Sequence, residues 1–333
     1  MPAILLALLM AALLSPAAAA VRCPEECGGV KIPYPFGIGR GCYLETATGD
    51  GGGHDEPFNV TCSNRDADGK LHPKPIPMVD GGLQVLDIDV AGGRMRAYTR
   101  VSSWCRNAAN TSPSAVDDDS WVYESATFRV SGTENVLTVV GCGVLAYIGT
   151  QDRGVDNRYV VGCNASCPRG IVRPSSTAAA AASGVSSCDG TDGCCQTTIQ
   201  RGIRSFVPSF VADDEDRPDG SGAGGSPCRY AFLVEKEKFK FRTSYVTNRE
   251  LAGAAGKRLP LVLDWAVGNK SCVVAQKDKA TTYACLSDNH ECVNSTNGAG
   301  YLCKCKTGYR GNPYRNNGCE CELSLSSVSL VLL

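Results

Sequence analysis

Histidine is scarce, at three residues in 333: His54, His72 and His290. His54 follows Gly51-Gly-Gly53 and His72 precedes Pro73, both loop contexts. There is no His-Glu-x-x-His pair for a catalytic zinc and no Gly-x-Ser-x-Gly nucleophile elbow. Surplus charge is missing too, since 33 Lys and Arg against 34 Asp and Glu leave a formal −1. That balance excludes a nucleic-acid binder acting through a strong bulk field. Long 3.6-residue periodicity is absent, which argues against a helical bundle. Gly37-Ile-Gly-Arg-Gly41 is too irregular for a phosphate loop. Stretches from Asn64 and from Asp87 imitate calcium loops, yet their twelfth positions are Pro75 and Tyr98 where a bidentate Glu belongs. No catalysis, cofactor or metal is expected.

Cysteine, by contrast, is abundant, at nineteen residues. A reducing compartment would leave so many thiols free and reactive, so they read as crosslinks of an extracellular protein. Cys23-x₃-Cys27 and Cys163-x₃-Cys167 have spacings that also suit zinc, but in this company they read as disulfide partners. The first twenty residues carry no charge, and the apolar run Ile4 to Leu14 is followed by Ser15, Pro16 and four alanines. That pattern predicts a signal peptide over 1–20, cleaved after Ala20. The apolar end Leu323 to Leu333 is half the length that spans a bilayer, so no membrane span is expected. Asn59, Asn110, Asn164, Asn269 and Asn294 each open an N-x-[S/T] acceptor for glycans, in keeping with secretion.

Two stretches read as linkers or long loops: Pro174 to Gly184, rich in Ala and Ser, and the acidic, Gly-rich Asp213 to Pro227. Neither buries enough apolar area to offset its ordering entropy. Elsewhere the pattern is of strands. Leu86, Ile88 and Val90 alternate onto one expected face, Asn135 to Val140 is β-branched, Lys238 to Phe241 alternates, and Leu261 to Val267 suits a buried strand. Ile199, Ile203, Phe206 and Phe210 fit one or two amphipathic helical turns, which Pro208 would limit. The expected fold class is mainly β: small disulfide-rich β domains.

The last cysteines carry the sharpest pattern. Cys272, Cys285, Cys292, Cys303, Cys305 and Cys319 are separated by 12, 6, 10, 1 and 13 residues. The gap in Cys303-Lys-Cys305 is expected to turn the two sulfurs to opposite faces, and so to different partners. Spacing alone leaves 15 pairings open. Gly300-Tyr301 and Gly308-Tyr309 suit turns packed by aromatics. The segment resembles an epidermal-growth-factor-like (EGF-like) module, and the resemblance implies Cys272–Cys292, Cys285–Cys303 and Cys305–Cys319. Residues 266–271 lack the acidic side chains of the calcium-binding form, so no calcium site is expected there.

A second resemblance runs from about residue 22 to 319. Cys23-Pro-Glu-Glu-Cys27-Gly-Gly-Val-Lys-Ile-Pro-Tyr-Pro-Phe-Gly-Ile38, followed by Cys42, resembles the galacturonan-binding domain of plant wall-associated kinases. Asp192-Gly-Cys-Cys-Gln196, Leu259 to Val267 and Gly308-Tyr-Arg-Gly-Asn-Pro-Tyr314 resemble later parts of that family's ectodomain. The family continues into a membrane helix and a kinase, but this chain has no Gly-rich nucleotide loop and no His-Arg-Asp loop. The expectation is an ectodomain without kinase: a galacturonan-binding-like domain over 21–170, a second cysteine-rich region over 171–271, the EGF-like module over 272–321, and a divergent tail over 322–333. Twelve cysteines precede the module and can form six bridges, which leaves Cys321 as a free thiol.

Galacturonan is an acidic sugar polymer, so binding calls for Lys or Arg against carboxylates and aromatic faces against rings. Lys31, Tyr34, Phe36 and Arg40 are the candidates, with Tyr43 nearby. Equally, Ile32, Tyr34 and Phe36 alternate as the edge of a core would. Arg94, Arg96 and Arg100 are a second basic face, or simply solvated strand charges. Two function classes follow: binding of pectin in the cell wall, or a secreted interaction or decoy module that meets an extracellular protein through the EGF-like part. A secreted hydrolase is a remote third. Nucleic acid is not an expected partner.

Overall fold

The computed structural model describes residues 22–45, 56–80, 82–106, 116–152, 155–167, 187–212, 228–251, 258–278 and 283–322. The expected signal segment, both expected linkers, Asn110 and residues 323–333 lie outside the described residues. Twenty-one strands follow in chain order: β1 (Glu26–Cys27), β2 (Val30–Lys31), β3 (Thr61–Arg65), β4 (Leu71–Val79), β5 (Leu83–Asp89), β6 (Arg94–Thr99) and β7 (Ser102–Arg106). Next come β8 (Val116–Asp119), β9 (Tyr123–Glu124), β10 (Arg129–Val130), β11 (Asn135–Val140), β12 (Val144–Asp152), β13 (Val155–Ala165) and β14 (Cys194–Thr198). The last are β15 (Ser205–Ala212), β16 (Cys228–Glu235), β17 (Leu259–Asp264), β18 (His290–Asn294), β19 (Tyr301–Cys305), β20 (Tyr309–Gly311) and β21 (Cys319–Cys321). Helix is confined to Ser244–Thr247 and Cys272–Lys277 among the described residues. The fold is mainly β and crosslinked by nine disulfides.

Three larger sheets carry the structure, in the orders β10-β17-β6-β5-β4-β3, β14-β11-β16-β7-β8 and β13-β12-β15-β9. Strands from either side of residue 170 share them: β17 pairs with β6, placing Leu261 opposite Ala97, and β16 pairs with β11, placing Leu233 opposite Leu137. β16 reads Cys-Arg-Tyr-Ala-Phe-Leu-Val-Glu and is buried on both faces for seven of its residues, which explains its unbroken apolar run. The vicinal pair opening β14 divides by strand alternation: Cys194 bonds Cys188 and Cys195 bonds Cys163. The remaining bridges before residue 272 are Cys23–Cys42, Cys27–Cys62, Cys105–Cys228 and Cys142–Cys167.

Four local expectations need correction. A β-bulge sets Val85 opposite Ala97 and Asp87 opposite Arg96, so one residue is inserted between them. The insertion reverses side-chain parity before it, so Val85 rather than Leu86 joins Ile88 and Val90 in packing on the core. Lys238–Phe241 is a turn followed by irregular chain, although Phe239 and Phe241 are both buried. Phe206 and Phe210 lie on strand β15, not on a helix; β9 covers only Ser205 and Phe206, so Pro208 sits where the strand has a single neighbour. Cys303 and Cys305 are two apart on β19 and therefore share a face. Their different partners follow from position along the strand: Cys303 bonds Cys285, while Cys305 at the strand end bonds Cys319. Cys272 bonds Cys292, which makes the order first to third, second to fourth, fifth to sixth. Cys321 is exposed and unbonded.

One core ties the C-terminal cysteine cluster to the N-terminal block. Phe36 meets Phe58 and Trp265 edge-on, each at 5.2 Å between ring centroids, and Trp265 meets Tyr314 at 5.8 Å. Asn297, 3 % exposed, adds a polar clasp. Its Nδ2 donates to Val130 O at 3.0 Å and Asp264 Oδ2 at 2.8 Å, while its Oδ1 accepts from the Gly202 amide. Each buried polar atom of that side chain is thus satisfied, as burial requires. Asn312 Nδ2 donates to the Tyr34 carbonyl across the same junction. Glycine is required at Gly28, where φ is +60° and a Cβ would stand 1.9 Å from Pro75 O.

Candidate functional site

Strands β3–β6 of the six-stranded sheet, with the turns between them, help to wall a groove. One part, about 220 Å³, is walled by Asp66, Gln84, Tyr98, Arg100, Trp121 and Arg258 among others. The adjoining part, about 390 Å³, is walled by Glu56, Asn59, Thr61, Met78 and Thr127 among others. Ala67, Asp80 and Gly82 line both, so the two hollows adjoin across these residues.

Strand alternation builds this groove. On β6, Met95, Ala97 and Thr99 turn into the core, which leaves Tyr98 and Arg100 toward the groove side. Trp121 is held edge-on against buried Phe206 at 5.7 Å and beside Tyr123 at 6.0 Å. Tyr123 is itself buried, and burial pushes its phenol well above the ordinary range. Asp66 anchors the floor. Its carboxylate accepts from His72 Nε2 at 2.9 Å, Arg258 Nη2 at 2.7 Å and the Lys70 amide at 2.9 Å. The His72 hydrogen bond, then that of Arg258, hold the Asp66 carboxyl far below its usual range despite burial. Arg258 also donates to Gln84, and Arg100 pairs with Asp68.

At the other end, Glu56 gathers three groups. Its Oε2 accepts from Asn59 Nδ2 at 2.9 Å, and its Oε1 is 4.0 Å from Arg40 Nε. Burial, with the hydrogen bond and charge of Glu56, pushes the Tyr43 phenol up to about 12. Arg40 keeps 81 % side-chain exposure, so beside Glu56 of the groove wall its guanidinium has its donors largely in solvent.

The sequence candidates therefore separate. Arg40 lies exposed beside Glu56 of the groove wall. Lys31 is exposed on the β1–β2 hairpin, opposite Glu26 in register. Tyr34 is half-buried at the junction with Asn312, and burial raises its phenol. Phe36, 1 % exposed, is the centre of the aromatic core and has no face to offer a ligand; the core-edge alternative describes it. Arg94, Arg96 and Arg100 are each paired, with Glu134 at 3.1 Å, Glu235 at 2.7 Å and Asp68. They form an ion-pair row rather than a surplus basic face. Trp121, Tyr98, Asp66 and Arg258 had no linear signal; pairing of β17 with β6 and the return of the chain at 121–124 bring them together. Of the glycan acceptors, Asn59 is half-buried, while Asn164, Asn269 and Asn294 are exposed. Among the described residues, no helix is long and apolar enough to cross a membrane.

An antiparallel, disulfide-bonded scaffold with an aromatic and guanidinium-lined groove defines a ligand-binding class of protein. A family model agrees: the one described as wall-associated receptor kinase galacturonan-binding matches residues 23–99, the segment that carries Arg40, Asp66 and Tyr98. Similarity extends well past that segment. The chain is 30 % identical over 308 residues to wall-associated receptor kinase 4, 32 % over 310 to wall-associated receptor kinase 3 and 31 % over 300 to wall-associated receptor kinase 2, all of Arabidopsis thaliana. Each alignment covers 90 % of this chain but only 34 % or 35 % of the relative. Residues 23–99 thus carry the galacturonan-binding domain, and the chain is similar over 90 % of its length to the ectodomain-like part of wall-associated receptor kinases, spanning about a third of the length of those relatives. No solved structure matches it.

Proposed function

We propose that this chain binds acidic wall polysaccharide, pectin, outside the cell and carries no catalytic activity of its own. The observation that carries the reading is the pair of adjoining hollows built largely within residues 23–99, with Tyr98 and Trp121 along one wall and exposed Arg40 beside Glu56 of the other. An exposed guanidinium suits a uronate carboxylate, and half-buried rings suit the apolar faces of sugars. Lys31 and Tyr34 extend the contact surface in this reading. Arg100 and Arg258 already face carboxylates, so they orient polar groups rather than supply surplus charge. The domain limits at 170 and 271, the EGF-like nature of 272–321, glycosylation and secretion belong to the same proposal.

The test is retention of the purified chain on de-esterified and on fully methyl-esterified pectin, at low and high salt. Retention on the de-esterified polymer that falls with salt supports the reading, because exposed charges are screened. Equal retention on both polymers, or none, refutes it. A second reading, contact with an extracellular protein, is favoured by the exposed side chains of Val273, Val274 and Leu286 on the C-terminal cysteine cluster.

A further inference from the structure

The outer face of the β13-β12-β15 sheet is unusually apolar. Val144, Ala146 and Ile148 on β12, with Cys163 and Ala165 on β13, turn into the core. Alternation then turns Leu145, Tyr147 and Asn164 outward. Leu145 is 38 % exposed, Val211 39 % and Tyr159 67 %. Register lines these groups up: Leu145 lies opposite Asn164 on β13 and opposite Val211 on β15. Tyr147 is the diagonal neighbour of Asn164, and its ring lies 5.7 Å from that of Tyr159. β13 ends the strand order, so no further strand flanks Asn164 in its sheet. Asn164-Ala-Ser166 is a glycan acceptor triplet.

We infer that Asn164 is N-glycosylated and that the proximal sugars lie over Leu145, Val211, Tyr147 and Tyr159 as a built-in cover for this face. The inference rests on the extracellular reading, since the sugar donor is a polyprenyl-pyrophosphate-linked oligosaccharide of the secretory pathway. In the transfer, Asn164 Nδ2 forms a bond to the anomeric carbon of the sugar. The bond from that carbon to the pyrophosphate oxygen breaks, the lipid pyrophosphate departs, and the amide loses one proton. Asn294 Oδ1 accepts from the Cys272 amide at 2.8 Å, and Asn59 Nδ2 is engaged by Glu56. An uncovered apolar face of this kind is where soluble proteins associate.

The experiment is peptide mapping of the full chain secreted from eukaryotic cells, after enzymatic deglycosylation in ¹⁸O water, which marks every occupied asparagine. Label at Asn164 is expected. Next, the secreted protein, its Asn164→Gln variant and the folded protein stripped of glycan are compared by dye fluorescence for exposed apolar surface and by light scattering. Loss of the glycan is expected to raise both several-fold, and adding Leu145→Thr and Val211→Thr to Asn164→Gln is expected to reverse the rise. Label at Asn269 or Asn294 with none at Asn164 overturns the inference while leaving secretion intact. No label at any acceptor overturns it as well, whereas failure of the chain to be secreted overturns the extracellular reading. Unchanged fluorescence and scattering after glycan loss overturns the covering role.

Discussion

Trp265 packs edge-on against Phe36, with ring planes at 89° and centroids 5.2 Å apart, and so fastens the end of β17 to the N-terminal cysteine block. Removing the Phe36 ring would leave a void among Phe58, Phe128 and Trp265. Phe36→Ala is expected to destabilise the folded chain by about 3–5 kcal/mol. Denaturant unfolding with disulfides intact measures this, and a loss below about 1 kcal/mol would contradict the core placement.

The exposed cations give the opposite expectation. Lys31→Ala with Arg40→Ala is expected to leave unfolding midpoints nearly unchanged, since surface groups away from packed features shift stability by about 0.5 kcal/mol or less. The same pair is expected to lower retention on de-esterified pectin about tenfold, the scale of one lost charge-assisted contact. Trp121→Ala tests the ring wall separately, and its effect should persist at high salt, where the charge contribution fades. Full retention by both variants would remove this groove from the binding surface.

Asp66 sets a pH dependence. Its folded carboxyl lies below the unfolded value of about 3.9, so the folded state holds fewer protons there than the unfolded state. The stabilisation is therefore complete above about pH 5 and is lost progressively as pH falls through the unfolded value toward the folded one. Asp66→Asn is expected to lower stability at pH 7 and to flatten the decline between about pH 5 and 2. Unfolding curves at stepped pH check this; an unchanged acid slope would show that the His72 and Arg258 contacts do not hold the carboxylate.

Cys321 is exposed and outside every bridge. Under denaturing, non-reducing conditions, alkylation is expected to add one label, at Cys321. Peptide mass mapping locates it, and label at any of the eighteen bridged cysteines would revise the pairing.

Much was legible in the chain because some constraints are local or covalent. Nineteen cysteines with three histidines announce crosslinks rather than catalysis, and the resemblance of 272–319 carries a pairing order along with its spacing. β11 announces itself through a β-branched run, and β17 through an apolar one whose strand ends at Asp264 rather than Val267. Where parity depended on a single inserted residue, at the bulge between Val85 and Asp87, alternation pointed to Leu86 although Val85 faces the core with Ile88 and Val90.

By itself, then, the sequence determined the crosslink inventory, the mainly β class and the family resemblance, because each depends on residue type and spacing. Tertiary structure alone decided that Phe36 is core, that Arg40 stands beside Glu56, and that Asp66, Tyr98, Trp121 and Arg258 line one hollow. Those residues are far apart along the chain, and only the pairing register of the strands brings them together. Register is set by the fit of whole faces and by bulges, and no local stretch of sequence encodes that fit.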